Sequence, residues 1–599
     1  MRPIRSVQLM WFGLALVILL GFGLRAYHFS DWLHFELDQA RDARVIDAAL
    51  VGGPGELPLL GPKAGGTFLR LGPVYYYLQY VSGLVFGGTP SGIAVIVMLA
   101  SVAAIGIFFL LVRRLFPSWL SLLLTLGFAT SEYFVMYGRF AWNPNMLPFF
   151  ILLGMYALLR SVGGGERYPG RWFLVSVASF GIATNLHFLA FLAAPTFLVL
   201  FLIVRRPRFH LRIWGIAALI IALLYFPMLL NEFATGGANT REFFGAITEK
   251  STKEDHVLPE KIIRNGSEHV LAGLVILTGF EGGTLPTVKT VGGLSIICQG
   301  KCDVGKPYGL AMALLLGLSV LAYLFLLFRE EERRKRDGLI AVGLWFLITF
   351  SLFTPLAYGM APRFFLLSGP FFFILIGCLG LVLVRAVPRL GLGHTITTGL
   401  ILVLVTMNIA SLELRFNELS RAAMEPLDSP PDRILKERIR VTLEQQNRII
   451  DFLAAKSAER NYPVYMFSEP QHRRALKYLL ERRGVENAVL GFDGIYHEGV
   501  YFLILRAQSD LDDALRKYRE NYTIGETTLF GTLVAIELFP KPESIIGTRQ
   551  DFMIQKPSDS KAPPRYTWNG YFHRSRGTIV EDAGSLDQSE DEANNNQSE

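Results

Sequence analysis

Up to about residue 412, this chain repeats one feature: apolar runs with almost no charge inside them, many near the roughly 20 residues that cross a bilayer. In hydrocarbon every backbone N–H and C=O must be paired internally, which leaves the helix as the fold such a run can take. The runs lie near 9–24, 92–112, 118–135, 147–160, 172–184, 186–204, 212–230, 309–328, 338–356, 364–384 and 395–412. They predict a polytopic α-helical membrane protein with about 11 transmembrane helices. The first run is flanked by Arg2, Arg5 and Arg25 and has no small-residue cleavage site at Leu24-Arg25-Ala26, so it reads as an uncleaved anchor. Only 18% of residues are charged, against about 25% in soluble globular chains, which excludes an ordinary soluble enzyme. The 13% of aromatic residues excludes disorder along the whole chain.

Arginine asymmetry orients the spans. Arg113 and Arg114, the run Arg333-Arg334-Lys335-Arg336, and Arg385 with Arg389 fall on one side together with the N-terminus, and that side is cytoplasmic. The stretch 172–204 is too long for one straight helix and short for two. Arg160, Arg167 and Arg171 precede it and Arg205, Arg206, Arg208 and Arg212 follow it, so an even number of crossings must separate them. Two short helices with a turn near Thr184 and Asn185 satisfy this. The segments 29–70 and 231–308 then lie outside, with everything after about 412. The net charge of +7 is a property of cytoplasmic loops, and no nucleic-acid partner is expected.

After 412 the chain becomes charged and amphipathic. Residues 433–459 read as helix, and 464–467, 488–490, 500–505 and 532–538 as short strands. These patterns predict three domains: transmembrane over 1–412, a small extracytoplasmic α/β domain over 413–541, and a low-order polar, acidic tail over 542–599.

The first outer loop concentrates charge. Glu36, Asp38, Arg41 and Asp42 follow His34, and a helix over 38–50 would put Asp38, Arg41 and Asp42 on one face. A solvated loop with local ion pairs is the plain alternative. Gly72-Pro73 leads an aromatic helix of about 74–86, too short to span and suited to the interface, which carries Tyr75 and Tyr76. Farther on, Arg139 has the planar donor set that suits a phosphate, and Trp142 and Asn143 can contact a sugar or cap a helix. His187 sits beside the turn between two short helices, as a functional ionisable group or as a packed neutral histidine. Arg363 is the one charge between about 338 and 384; it snorkels to the interface or, as we favour, pairs with an anionic head group. Cys298 and Cys302 lie in an outer segment where a disulfide persists. Three cysteines in all exclude a disulfide framework or a Cys-rich zinc module. No G-x-x-x-x-G-K-[ST], H-E-x-x-H or helix-opening G-x-G-x-x-G is present.

In order, Asp38-Gln39-Ala40-Arg41, Gly72-Pro73-Val74-Tyr75-Tyr76, Arg139 with Trp142-Asn143-Pro144, His187, and Arg363-Phe364-Phe365 resemble the motifs of the GT-C superfamily of membrane glycosyltransferases. The chain looks most like bacterial relatives of the protein O-mannosyltransferases and of the lipid A aminoarabinose transferase. The resemblance covers roughly 1–412. It implies a multi-pass enzyme of the plasma (inner) membrane that takes a sugar from a polyprenyl-phosphate donor to a hydroxyl on a protein, lipid or glycan of the cell envelope, at the outer face. It implies that Asp38 is the general base, that Arg363 and Arg139 bind the donor phosphate, and that Glu36, Arg41, Asp42, Tyr75, Tyr76, Trp142, Asn143 and His187 bind substrate. Relatives often carry Glu where this chain has Gln39, so no metal ligand is assigned, no cofactor is certain and a divalent metal is left open. Glu36 and Asp42 are the carboxylates available in its place. Two other classes share the span pattern: a lipid-linked-sugar transporter or flippase, and a non-catalytic envelope assembly protein. A transporter would show broken helices near the midplane and repeated halves, and no repeat is present; an assembly protein would not need Asp38, Arg139 and Arg363 to converge.

Overall fold

The structure is a computed structural model that describes residues 2–64, 69–251, 256–289, 295–298, 302–388, 391–427, 432–485, 487–488, 495–547 and 565–573. The first apolar run forms α1 (Arg2–Ala26), and the segment after it folds into α2 (Leu37–Gly52) and α3 (Val74–Phe86). Then come α4 (Pro90–Val112), α5 (Ser118–Thr130), the short α6 (Glu132–Tyr137), α7 (Leu147–Ser161), α8 (Pro169–Leu186), α9 (Phe188–Arg205) and α10 (Leu211–Thr235). Beyond α11 (Ala238–Ser251) and α12 (Leu258–Thr278) follow α13 (Cys302–Arg329), α14 (Arg333–Phe353), α15 (Gly369–Ala386) and α16 (Leu392–Ala422). Among the described residues, eight helices are long and apolar enough to cross a membrane, and the chain is a polytopic helical membrane protein. Helices α5 and α7, of 13 and 15 residues, extend only about 20 Å at 1.5 Å per residue.

The stretch 172–204 lies within α8 and α9, each of 18 residues, broken at His187. The segment 231–308 holds more order than an outer loop. Helix α12 buries Leu271, Leu274, Val275 and Ile276 and packs against α13, α15 and α16. Its polar first half, Leu258 to Glu268, masks that apolar second half in a hydropathy reading. Two short strands, β1 (Thr287–Lys289) and β2 (Ser295–Ile297), pair antiparallel beside it, and Cys298 is disulfide-bonded to Cys302 at the start of α13.

The C-terminal part carries α17 (Leu443–Arg460), α18 (Pro470–Arg482) and the short α19 (Leu511–Arg516). Its strands are β3 (Val464–Ser468), β4 (Asn487–Ala488), β5 (Val500–Arg506), β6 (Tyr522–Phe530) and β7 (Leu533–Pro540), in one five-stranded sheet of order β4-β3-β5-β7-β6. Strand alternation sends Val464, Met466, Phe502 and Ile504 to one buried face and Tyr465, Tyr501, Leu503 and Ile536 to another. Residues 489–490 of the expected strand 488–490 lie outside the described residues.

This unit is fixed to the first loop. Arg482 pairs with Asp47 at 2.9 Å, Arg44 with Glu481 at 2.8 Å, and Gln446 donates to the carbonyl of Phe35. The linker that precedes α17 is fastened by a buried polar knot. Arg415, on α16, pairs with Glu132, Glu281 and Asp432, while Arg440 pairs with Asp432, Glu418 and Glu437. Two guanidinium groups shared among five carboxylates keep every buried charge paired, the condition on which buried ions are tolerated.

Residues 565–573 fall inside the expected low-order tail 542–599 and are instead packed on the membrane part. Leu59 N–H donates to the carbonyl of Tyr566 and Trp568 N–H to that of Leu57, leading into α20 (Trp568–Phe572). Asn569 donates to Glu56 at 2.7 Å, and Arg565 is buried. Residues 548–564 and 574–599 lie outside the described ones.

Candidate active site

The charged loop is helical from Leu37, as the i,i+3 and i,i+4 reading requires. Gln39, the departure from the family pattern, serves the local backbone. Its side chain accepts from the Glu36 N–H and closes a capping box. Asp38 is therefore in the first turn of α2, where the helix dipole favours an anion.

Both oxygens of Asp38 are engaged. Oδ1 accepts from Arg41 at 2.9 Å and Oδ2 from the indole N–H of Trp142 at 3.0 Å, yet the side chain keeps 40% of its exposure. Burial pushes the Asp38 carboxyl up, but the positive charges of Arg41 and Arg363 and the Trp142 hydrogen bond more than offset it, leaving the group below its ordinary range. Arg363 lies with its guanidinium 5.1 Å from the Trp142 ring centre, within cation–π range. Among the described residues it makes no hydrogen bond and no ion pair. Its turn is held by Tyr133, whose hydroxyl donates to the carbonyl of Pro362 at 2.7 Å.

Behind Asp38, Arg41 also donates to Asp42 at 2.9 Å, and Tyr76 donates to the same Asp42 oxygen at 2.9 Å. Asp42 is fully buried, and burial pushes its carboxyl up against the pull of Arg41. Arg565 from the C-terminal segment reaches Tyr76 at 3.5 Å. Tyr75 is turned elsewhere and accepts from Gln79 on its own helix.

The remaining expected residues divide. Asn143 donates to the carbonyl of Leu186 and pins the α8/α9 break. His187 caps α9 by accepting from Leu189 N–H, and its ring meets the edge of Phe364 next to Arg363. Arg139 is not brought to Asp38. It is buried, donates to the carbonyls of Leu24, Arg25 and His28, and lies over the Phe416 ring. Its geometry is that of a brace on the end of α1.

Glu36 faces His34 and Glu437, and one ligand atom from each lies within 4.8 Å of the others. Burial opposes the His34 charge, but Glu36 and Glu437 win and raise its pKa to about 9. Glu36 is pushed up to about 7 by burial and by Glu437, Asp432 and Asp38, against the pull of His34. His34 Nδ1 and Glu437 are already 2.7 Å apart, and Glu437 also pairs with Arg440. These contacts satisfy the trio as a hydrogen-bonded charge pair.

Nothing in the sequence pattern marks Glu437, Asp432, Lys436 or Arg433 as neighbours of this site. They lie some 400 positions from Asp38, and the helix expected over 433–459 begins only at Leu443, because 432–442 is held as a non-helical linker by the Arg415 and Arg440 ion pairs. The one available signal is Arg415, a cation on α16 just beyond its apolar run.

The dolichyl-phosphate-mannose-protein mannosyltransferase family matches residues 70–230, a segment that contains Tyr75, Tyr76, Arg139, Trp142, Asn143 and His187 but neither Asp38 nor Arg363. YkcB of Bacillus subtilis (strain 168), named as a mannosyltransferase, is 24% identical over 187 residues, which span 30% of this chain and only 25% of that protein. The apo crystal structure of ArnT from Cupriavidus metallidurans superposes with a TM-score of 0.54 at 12% identity, covering 89% of this chain and 98% of ArnT. Its complex with undecaprenyl phosphate superposes with a TM-score of 0.53 at 11% identity over the same shares. In sequence over 70–230 and in fold over most of its length, the chain resembles the membrane glycosyltransferases of the GT-C superfamily.

Proposed function

We propose that the chain is a glycosyltransferase that moves a sugar from a polyprenyl-phosphate donor to a hydroxyl acceptor at the outer face of the plasma membrane. The observation that carries this reading is the Asp38–Trp142–Arg363 cluster: an ionised, partly exposed carboxylate and an unpaired guanidinium share one indole. The comparisons support the same class. The matched family is one of dolichyl-phosphate-mannose-dependent transferases, and an ArnT of the same fold binds undecaprenyl phosphate.

In this reading the eleven-crossing arrangement holds, with α1, α4, α5, α7–α10 and α13–α16 as the spans. The N-terminus and the Arg333–Arg336 run are cytoplasmic, and the C-terminal unit is outside. Asp38 takes the proton of the acceptor hydroxyl. A carboxylate offers about four lone-pair positions, so the contacts from Arg41 and Trp142 leave room for one more donor. Its lowered pKa keeps it ionised at neutral pH and makes it a modest base, so positioning has to supply much of the effect. Arg363 holds the donor phosphate, whose charge grows as the sugar leaves. Arg41 and Asp42 orient Asp38, and Trp142 presents a face to the sugar. Arg139 has no part in donor binding.

Purified protein incubated with a panel of polyprenyl-phosphate sugars tests this. Transfer to an acceptor or hydrolysis of one donor is expected. Intact donors throughout, in folded protein that binds them, would favour the transport reading.

A further inference from the structure

A cavity of about 690 Å³ opens on the other side of the Arg363 turn, where Ala361 and Pro362 form part of its wall. One side is apolar, with Leu271, Val275, Leu285 and Phe365. The other, from α12 and the linker before α17, carries Arg264, Arg433 and Lys436 beside two carboxylates, Glu268 paired with Arg264 and Asp432 paired with Arg415 and Arg440. This volume falls in the range of ligand sites, and its mixed lining suits a chain that is apolar at one end and anionic at the other.

Lys436 is the unusual member. Its φ is +60°, the left-handed region that a side-chain-bearing residue rarely occupies. The linker is bound so tightly on both sides that it has no choice. Asp432 accepts from the N–H groups of Ile434 and Leu435, Glu281 from that of Arg433, and Tyr137 donates to the carbonyl of Ile434. Such strain collects at functional positions. Among the described residues the Lys436 ammonium makes no hydrogen bond and no ion pair. Burial and the nearby charge of Arg363 both lower its pKa, and the acid acting on it, Glu268, is committed to Arg264 at 2.6 Å. Lys436 therefore faces the cavity and Arg363 stands in the turn whose Ala361 and Pro362 form its wall, near enough for the two charges to repel, an arrangement that an anion between them would relieve.

We propose that Lys436 is the second cation of the donor-phosphate site, engaged by the charge that appears as the sugar leaves, with the cavity seating the first isoprene units. The inference rests on the function proposed above. A polyprenyl-phosphate sugar is a phosphodiester with one negative charge. In transfer the acceptor oxygen bonds to the sugar's C1, the C1–O bond to phosphate breaks with its electron pair staying on the phosphate oxygen, and the acceptor proton passes to Asp38. The product, polyprenyl phosphate, is a monoester with a second negative charge at neutral pH. Arg363 serves both states, and Lys436 serves mainly the second, where stronger binding accelerates the step.

The test uses the full chain in nanodiscs, with undecaprenyl phosphate and undecaprenyl-phosphoryl-mannose as separate probes. Lys436→Gly is the informative variant, because glycine accepts the left-handed backbone and should keep or raise the thermal midpoint. It should weaken binding of the monoester by about tenfold, the loss expected for one charge-assisted contact, while the diester changes far less; Lys436→Arg should restore most of the difference. Equal affinity of wild type and Lys436→Gly for the monoester would overturn the proposal, and so would equal loss for both probes. Inorganic phosphate and phosphatidylglycerol discs are the other arms. Competition by inorganic phosphate at the concentration of the lipid would remove the role of the apolar cavity. A wild-type chain that binds neither polyprenyl probe above phosphatidylglycerol would instead overturn the proposed function itself.

Discussion

At the scale of single residues, function turns on which charges are paired. Asp38, Trp142 and Arg363 can be singled out from sequence because each is conspicuous where it stands: a carboxylate in the first turn after a span, an indole in a polar turn, a lone cation opening an apolar run. Arg139 looks equivalent in sequence, yet three backbone carbonyls occupy its guanidinium. Sequence position cannot distinguish a cation held by carbonyls from one left open to a ligand. Arg139→Ala is therefore expected to lower thermal stability, by about 1–3 kcal/mol for carbonyls left unsatisfied, and to leave donor affinity of the folded protein nearly unchanged. Arg363→Ala should lose both donor affinity and transfer, and Arg363→Lys should recover only part, since an ammonium lacks the planar fork; calorimetric donor binding alongside transfer rates checks both. A pH prediction comes from the first loop. The raised pKa of His34 gives stability that is full below its unfolded value of about 6.5 and is lost as pH rises through about 9. The raised pKa of Glu36 acts in the same direction, its contribution being lost as pH rises from about 4.3 through about 7. Thermal midpoints should thus fall between pH 5 and 9, and His34→Gln should flatten the upper part of that profile.

At the scale of elements, helices with sustained hydropathy are legible in the sequence and those with mixed halves are not. The break between α8 and α9 can be argued from arginine parity alone, because both flanking clusters have to share a side. Helix α12 is hidden because its first half carries Glu260, Lys261, Arg264 and Glu268, although its second half is as buried as a span. The C-terminal segment is hidden for a different reason. A few residues that add a bridge at Pro58 and Thr567 have no periodicity to reveal them, and their partners lie some 500 positions upstream. Trp568 is half-buried and donates to Tyr77 at 3.0 Å. Trp568→Ala should lower stability by about 1–3 kcal/mol, and ending the chain after residue 560 should do at least as much. Hydrogen exchange should then rise in α2 and in 54–60 before it rises in the sheet. Unchanged exchange there would mean that the segment is not holding the first loop.

At the scale of the whole molecule, the helical membrane architecture is written in composition and charge, and the docking of the C-terminal unit is not. That docking depends on Arg415, Asp432 and Arg440, whose partners are fixed only once the chain has folded. The proposed topology puts Arg206 and Arg334 in the cytoplasm and Lys63, Cys302 and the C-terminal unit outside. Accessibility labelling of single cysteines placed in intact cells should reach positions 63 and 540 from outside and not 206 or 334; outside labelling at 334 would invert the arrangement and remove Asp38 from the outer face. The central claim is that Asp38 takes the acceptor proton in a site that Arg363 charges for a lipid phosphate, and Asp38→Asn tests it most directly because size and polarity are kept. Measured with the donor that the wild type uses, this variant should bind donor almost as the wild type does while transfer falls by about 10²–10⁴-fold. Near-normal transfer by folded Asp38→Asn protein would contradict the account.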